Sequence, residues 1–154
     1  QVDVPIHASV EHSHSLHIQR GIDRVPEIAI RSIGIIGLTF KAGTDDLRNS
    51  AAIRLAESLI GKGFSIRIYD RFLNIAREKS DGKKELSHRI PHLLPLLEET
   101  PESLIQKVSL VLVTVRNSEV PQLIINNPGI HFLDLVRLKD SSVESMPNYE
   151  GFCW

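Results

Sequence analysis

Between Arg31 and Tyr69 the chain reads as a strand, a helix and a second strand, and that unit restricts it to a small group of folds. Residues 31–38 (RSIGIIGL) form a short apolar run with glycines at its exit, the pattern of a strand buried on both faces. A ten-residue loop, 39–48, follows, and then Asn49 or Ser50 can cap a helix running to about Ile60. Ile53, Leu55, Ala56, Leu59 and Ile60 make its apolar stripe, and Gly61 and Gly63 stop it. Residues 64–69 (FSIRIY) are the second strand, closed by Asp70. Two strands joined through a helix lie parallel with a right-handed crossover.

The alternation continues downstream. Residues 73–77 and 90–97 read as short helical pieces, 79–84 as an exposed loop, and 101–106 as a helix opened by Pro101. Residues 109–115 (SLVLVTV) are a third strand and 120–125 a further helix; a turn at Asn127-Pro128-Gly129 leads to a fourth strand at 130–136. The tail, 149–154, suits an edge strand. The fold this predicts is α/β: an open, mainly parallel, Rossmann-like sheet with helices on both faces. Residues 1–29 are polar and His-rich. From Ser13, read as an N-cap, Leu16, Ile18, Ile22 and Val25 sketch a short helix that Pro26 ends, so this stretch is expected to be the end of a helical linker ahead of a domain spanning 30–154.

Composition excludes several function classes. With 154 residues and a formal net charge of −1, the chain suits one soluble domain and offers nothing to a nucleic-acid polyanion or an anionic membrane. One Trp and two Tyr are too few for base-stacking platforms. No apolar run approaches the roughly 18 residues that span a bilayer, and no signal-peptide pattern opens the chain. A single cysteine cannot close an internal disulfide, so a reducing cytoplasm is the expected compartment. The start at Gln1 leads us to expect a piece of a longer polypeptide.

The stretch from Gly37 to Ser50 (GLTFKAGTDDLRNS) carries the functional signal. In a doubly wound sheet ligands bind outside the carboxyl ends of the strands, where this loop must lie. Lys41 and Arg48 supply two cations, Gly43 tightens the turn, and Asp45 and Asp46 can bond backbone amides or neutralise a cation. Near a helix start, a Lys point charge and an Arg fork suit a pyrophosphate. The same charges also suit a merely solvated loop, and the residues alone leave both readings open.

Gly37, Phe40, Lys41, Gly43, Thr44, Asp46, Arg48 and Ser50 resemble the loop that opens the C-terminal domain of the UDP-glucose/GDP-mannose 6-dehydrogenase family. The form F-K-x-G-T-D-D-L-R, with the Gly151-Phe-Cys-Trp154 ending, looks like the GDP-mannose branch. Members oxidise a sugar's C6 alcohol to a carboxylate with NAD, through an aldehyde and a Cys-bound thioester. The resemblance implies that Phe40 and Lys41 contact the nucleotide-sugar and that Arg48 reaches NAD held mainly by a domain absent from this chain. Arg137, in Asp134-Leu-Val-Arg137, is implied as a further substrate contact. No catalytic residue is implied here, because the family's nucleophilic Cys belongs to another part, so the isolated chain is expected to be inactive. Implied partners are the nucleotide-sugar (GDP-mannose, GDP-mannuronate or a UDP-sugar), the N-terminal domains of the same enzyme, and further copies in a homo-oligomer. The alternatives are a UDP-glucose 6-dehydrogenase domain and a non-catalytic nucleotide-binding or interaction module. Asn49 and Ala51 stand where the family usually shows Glu and Pro, which weakens the expected helix start and favours the non-catalytic module.

Other signals are weaker. Gly34-x-x-Gly37 with Asp70 imitates a dinucleotide fingerprint but lacks G-x-G-x-x-G, so Gly37 reads as a turn glycine. Of seven histidines, His7, His12, His14 and His17 share one polar segment without zinc-site spacing, and no metal is expected. Cys153, near the chain end, is read as structural or incidental, since a catalytic thiolate needs a base or cationic surround.

Overall fold

The structure, a computed structural model, describes residues 13, 16–17, 19–25, 32–39 and 46–152. Its strands are β1 (Ser32–Ile36), β2 (Ser65–Tyr69), β3 (Leu110–Val113), β4 (His131–Asp134) and β5 (Tyr149–Gly151). They form one sheet in the order β2-β1-β3-β4-β5, and every adjacent pair is parallel. The helices are α1 (Ala51–Gly61), α2 (Arg71–Glu78), α3 (Ser80–Arg89), α4 (Pro101–Ile105), α5 (Val120–Asn126) and α6 (Ser141–Glu144), with a 3-10 turn at Leu94–Leu96.

Register explains why the strands read as continuous apolar runs. Ile68, Ile35, Leu112 and Leu133 line up across four strands, and all four are wholly buried. With Ile33, Ile66 and Leu110 they pack under Leu55 and Leu59 of α1, Leu73 of α2, Leu86 of α3, and Ile22 and Val25 of the leading helical residues. The next row, Tyr69, Ile36, Val113 and Asp134, ends the strands. Its Tyr69, Ile36 and Val113 face the opposite way, against Leu104 of α4, Val120 and Ile124 of α5, and Val143 of α6. Helices therefore cover both faces, as the alternation predicts. At Gly34 a Cβ would come within 2.5 Å of Leu104 Cδ2, so only glycine lets α4 lie this close to β1.

α1 starts cleanly despite its unusual sequence. Ser50 is the cap: its Oγ accepts from the Ile53 amide at 3.4 Å and donates to the Leu38 carbonyl at 2.6 Å, tying helix start to strand exit. Asn49 is left-handed (φ 54°), a conformation Asn adopts more readily than other non-glycine residues. The expected weakening of this helix start is therefore not seen.

Several boundaries differ from the sequence reading. Ser13, expected as a cap, is itself helical. Residues 79–84 are expected as an exposed loop, yet from Ser80 onward they belong to α3. The helix is polar nearly all round and buries only Leu86, so it carries no stripe to read. At its Gly82 a Cβ would lie 2.2 Å from the Ala76 carbonyl oxygen, so the glycine serves close packing of α3 on α2. Within 90–97, expected as helical, only the 3-10 turn forms, and Leu97 instead bridges in parallel to Ile68. β3 and β4 are shorter than expected at both ends, and the tail strand runs from Tyr149 to Gly151, with Cys153 and Trp154 outside the described residues.

Glu98 locks the long β2–β3 crossover. Its amide donates to the Ile68 carbonyl at 2.7 Å, and its buried carboxylate accepts from Ser103 Oγ and Lys107 Nζ, each at 2.6 Å. Burial pushes this carboxyl upward, but the bonds from Lys107 and Ser103, with the nearby charges of Lys107 and Arg67, outweigh it and lower the pKa. A carboxyl lowered in the folded state stabilises above its unfolded pKa and loses that contribution as pH falls through the folded value. Glu98→Gln is therefore expected to cost about 1–2 kcal/mol at pH 7, and the gap from the parent should shrink below pH ~4. Urea unfolding at pH 7 and pH 3 checks this; an equal gap at both overturns it.

Candidate functional site

Because every strand pair is parallel, the exits of β1, β2, β3 and β4 open along one edge. β1 leads to α1 on one face, whereas β3 leads to α5 on the other. That reversal leaves a crevice between β1 and β3, the position at which open α/β sheets bind ligands. An open cleft of about 240 Å³ lies there, walled by Gly37 and Thr39, by residues 69–72, and by residues 115–118.

The crevice floor is built by backbone approach. Gly37 is left-handed (φ 98°), and a Cβ on it would sit 2.5 Å from the Val115 Cβ. Thr114 Oγ1 bridges the carbonyls of Ile36 and Gly37. Asp70, only 4% exposed, ties three segments together. One carboxylate oxygen accepts the amides of Leu38 (2.8 Å) and Thr39 (3.1 Å), and the other accepts those of Phe72 (2.9 Å) and Leu73 (3.1 Å) at the start of α2. The acidic residue that imitates a ribose binder is thus spent on four backbone amides.

Of the residues the sequence nominates, Phe40 and Lys41 lie outside the described residues. Arg48 is described and sits two residues ahead of the Ser50 cap. Its side chain is 74% exposed and forks onto Asp46, with Nε to Oδ1 at 2.9 Å and Nη2 to Oδ2 at 2.8 Å. Side-chain and backbone hydrogen bonds from Arg48 hold the Asp46 carboxyl down at about 2. The pair leaves the Arg48 side chain exposed with its guanidinium turned onto Asp46.

Arg137 is exposed on the loop after β4, two strand positions from β1 and so roughly 10 Å along the edge. No bond joins it to Arg48. The buried Asp134 folds this loop: Oδ1 accepts the Val136 amide at 2.8 Å, and Oδ2 accepts the Leu138 amide and the Tyr149 hydroxyl, both at 2.7 Å. Burial, then the bond to Asp134, pushes the Tyr149 phenol upward. Arg116 Nε donates to the carbonyls of Val136 (3.1 Å) and Arg137 (3.0 Å). Arg137 and Lys139 are both left-handed, at φ 55° and 58°. Sequence reasoning missed Arg116 and the organising role of Asp134; an Asp closing an apolar strand, as Asp70 also does, was the available signal for the second.

Among the described residues no three His, Cys, Asp or Glu are grouped to hold a metal ion, and no helix is long and apolar enough to cross a membrane.

A parallel five-stranded sheet in this order, with a crevice between β1 and β3, defines an open, Rossmann-like class of α/β domain. The chain belongs to the UDP-glucose/GDP-mannose dehydrogenase family, in its UDP binding domain, whose family model matches residues 34–130. It is 34% identical to the GDP-mannose 6-dehydrogenase of Pseudomonas syringae pv. tomato over 99% of this chain and 35% of that protein. The GDP-mannose dehydrogenase of Pseudomonas aeruginosa, solved as a ternary complex, superposes with a TM-score of 0.86 at 33% identity, over 99% of this chain and 35% of that one. A UDP-glucose dehydrogenase from Pyrobaculum islandicum, at TM-score 0.61 and 19% identity over 94% of this chain and 30% of that one, shares the fold. The chain thus spans about a third of the length of the curated relatives it matches.

Two substitutions test this framework. Asp70→Asn replaces one oxygen with a donor facing two amides, and is expected to cost about 3 kcal/mol, or roughly 6–12 °C in Tm. Arg137→Gly removes a left-handed side chain that holds no bond and should instead add about 0.5–1 kcal/mol. Thermal melts of both variants decide; an unchanged Tm for Asp70→Asn or a lowered one for Arg137→Gly would contradict the assignments.

Proposed function

We propose that this chain is the nucleotide-sugar-binding part of an NAD-dependent GDP-mannose 6-dehydrogenase. The observation that carries this reading is the 34% identity to a GDP-mannose 6-dehydrogenase over 99% of the chain. The position of the 37–50 connection at the carboxyl edge supports it.

In this reading Lys41 places a point charge on the diphosphate, Phe40 packs on the nucleotide-sugar, and Arg137 donates to it from across the edge. The loop's charge neutralises a polyanion, and the Asp46 fork orients the Arg48 guanidinium. NAD would supply hydride acceptance. The residues described here do not form a dinucleotide site: Asp70 is consumed by amides, and a long connection replaces the tight phosphate turn. This reading places NAD elsewhere in the enzyme, with Arg48 as this chain's one contribution. The chain's task is orientation, which moves substrate binding energy into the reaction without supplying a nucleophile or base. The parent enzyme acts in the cytoplasm as a homo-oligomer.

In the dehydrogenase carrying this chain, Lys41→Ala removes a charge-assisted contact of about 1.5–3 kcal/mol and should raise the KM for GDP-mannose roughly ten- to hundredfold. The KM for NAD should stay nearly constant. Arg48→Ala should do the reverse. Wild-type constants for both ligands in both variants would refute the assignment.

A further inference from the structure

The cleft between the exits of β1, β2 and β3 carries a set of polar groups of its own. Arg48 and Arg137 do not line it. Its Ile36 and Tyr69 belong to the face covered by α4, α5 and α6, whereas the 37–50 connection leads to α1 on the opposite face.

Two arginines stand at its mouth. Arg116 has Nε bound to the carbonyls of Val136 and Arg137, which fixes the guanidinium and leaves its two terminal amino groups without a protein partner among the described residues. Arg71 faces it from the start of α2 and is held by Glu119 across the opening, with Nη1 to Oε1 at 3.1 Å. The peptide N–H groups of residues 115–118 have no protein acceptor among the described residues. Tyr69, 6% exposed, lines the cleft, and its hydroxyl has no hydrogen-bond partner among the described residues. That hydroxyl is free to bond a ligand in the cleft. The volume, about 240 Å³, lies below the roughly 300–1,000 Å³ of sites for drug-sized ligands, so the occupant is small.

We propose that this cleft is a second binding site, for a sugar phosphate. The phosphate sits between Arg116 and Arg71, where planar guanidinium donors and unpaired amides match a dianion. The sugar hydroxyls meet Tyr69 and the side chains of Thr39 and Asn117. Glu119 competes with the phosphate for Arg71 and so sets the affinity.

Calorimetric titration of the chain with ribose 5-phosphate, free ribose and inorganic phosphate tests this. Ribose 5-phosphate should bind one-to-one and more tightly than inorganic phosphate, and free ribose should not bind. Arg71→Ala and Arg116→Ala should each weaken binding at least about tenfold. Glu119→Gln should tighten it several-fold, a gain that misfolding cannot produce. GDP-mannose should not displace the sugar phosphate. No binding, equal affinity for inorganic phosphate, indifference to Glu119→Gln, or displacement by GDP-mannose would each overturn the proposal. None of these results bears on the KM values that test the nucleotide-sugar reading.

Discussion

The joint at Asp70 is the interaction on which the rest of the edge depends. Its buried carboxylate gathers four backbone amides, two leaving β1 and two beginning α2. Without that acceptor, the first amides of α2 and the exit of β1 would be buried donors with no partner, which folded proteins avoid. With it, the exits of β1 and β2 hold a fixed spacing, and the 37–50 connection starts from a rigid point. Ser50 closes the same connection from its far end by donating to the Leu38 carbonyl. Both ends of the loop proposed to carry substrate are thus pinned to one residue pair, Leu38 and Thr39.

A second carboxylate does comparable work at β4. Asp134 is wholly buried and accepts two amides and the Tyr149 hydroxyl, which forces the following loop through two left-handed residues. Strained loop backbone persists where surrounding bonds over-determine it. Here the bonds come from Asp134 on one side and Arg116 on the other, and the result is an exposed Arg137 on a short, fixed tether. Two buried aspartates closing parallel strands therefore hold the edge that Arg48 and Arg137 share.

Much of this was legible in the chain. The β1–α1–β2 unit shows in the two apolar runs around the Ile53 to Ile60 stripe, and Gly63 marks the helix stop, because burial on both faces leaves a clear hydrophobic pattern. The family resemblance rested on eight residues of one loop and agreed with the similarity that spans nearly the whole chain. What escaped was structure without such a pattern. α3 buries one side chain, so its first half looked like a loop, and Gly82 within it serves a close backbone approach. Arg116 looked like any surface cation because its carbonyl partners are 20 and 21 residues away.

The sequence by itself determined the fold class and the parallel order of its first strands, and it singled out the 37–50 loop as the candidate binding segment. Those properties follow from local periodicity and from residue chemistry, which are written along the chain. Only the tertiary structure decided that Asp70 is an anchor and not a ribose ligand, because that depends on which amides surround it after folding. The same holds for the cleft at Tyr69, whose walls come from three separate strand exits. Reversal of the chain's path between β1 and β3 brings those exits together, and no local pattern records it.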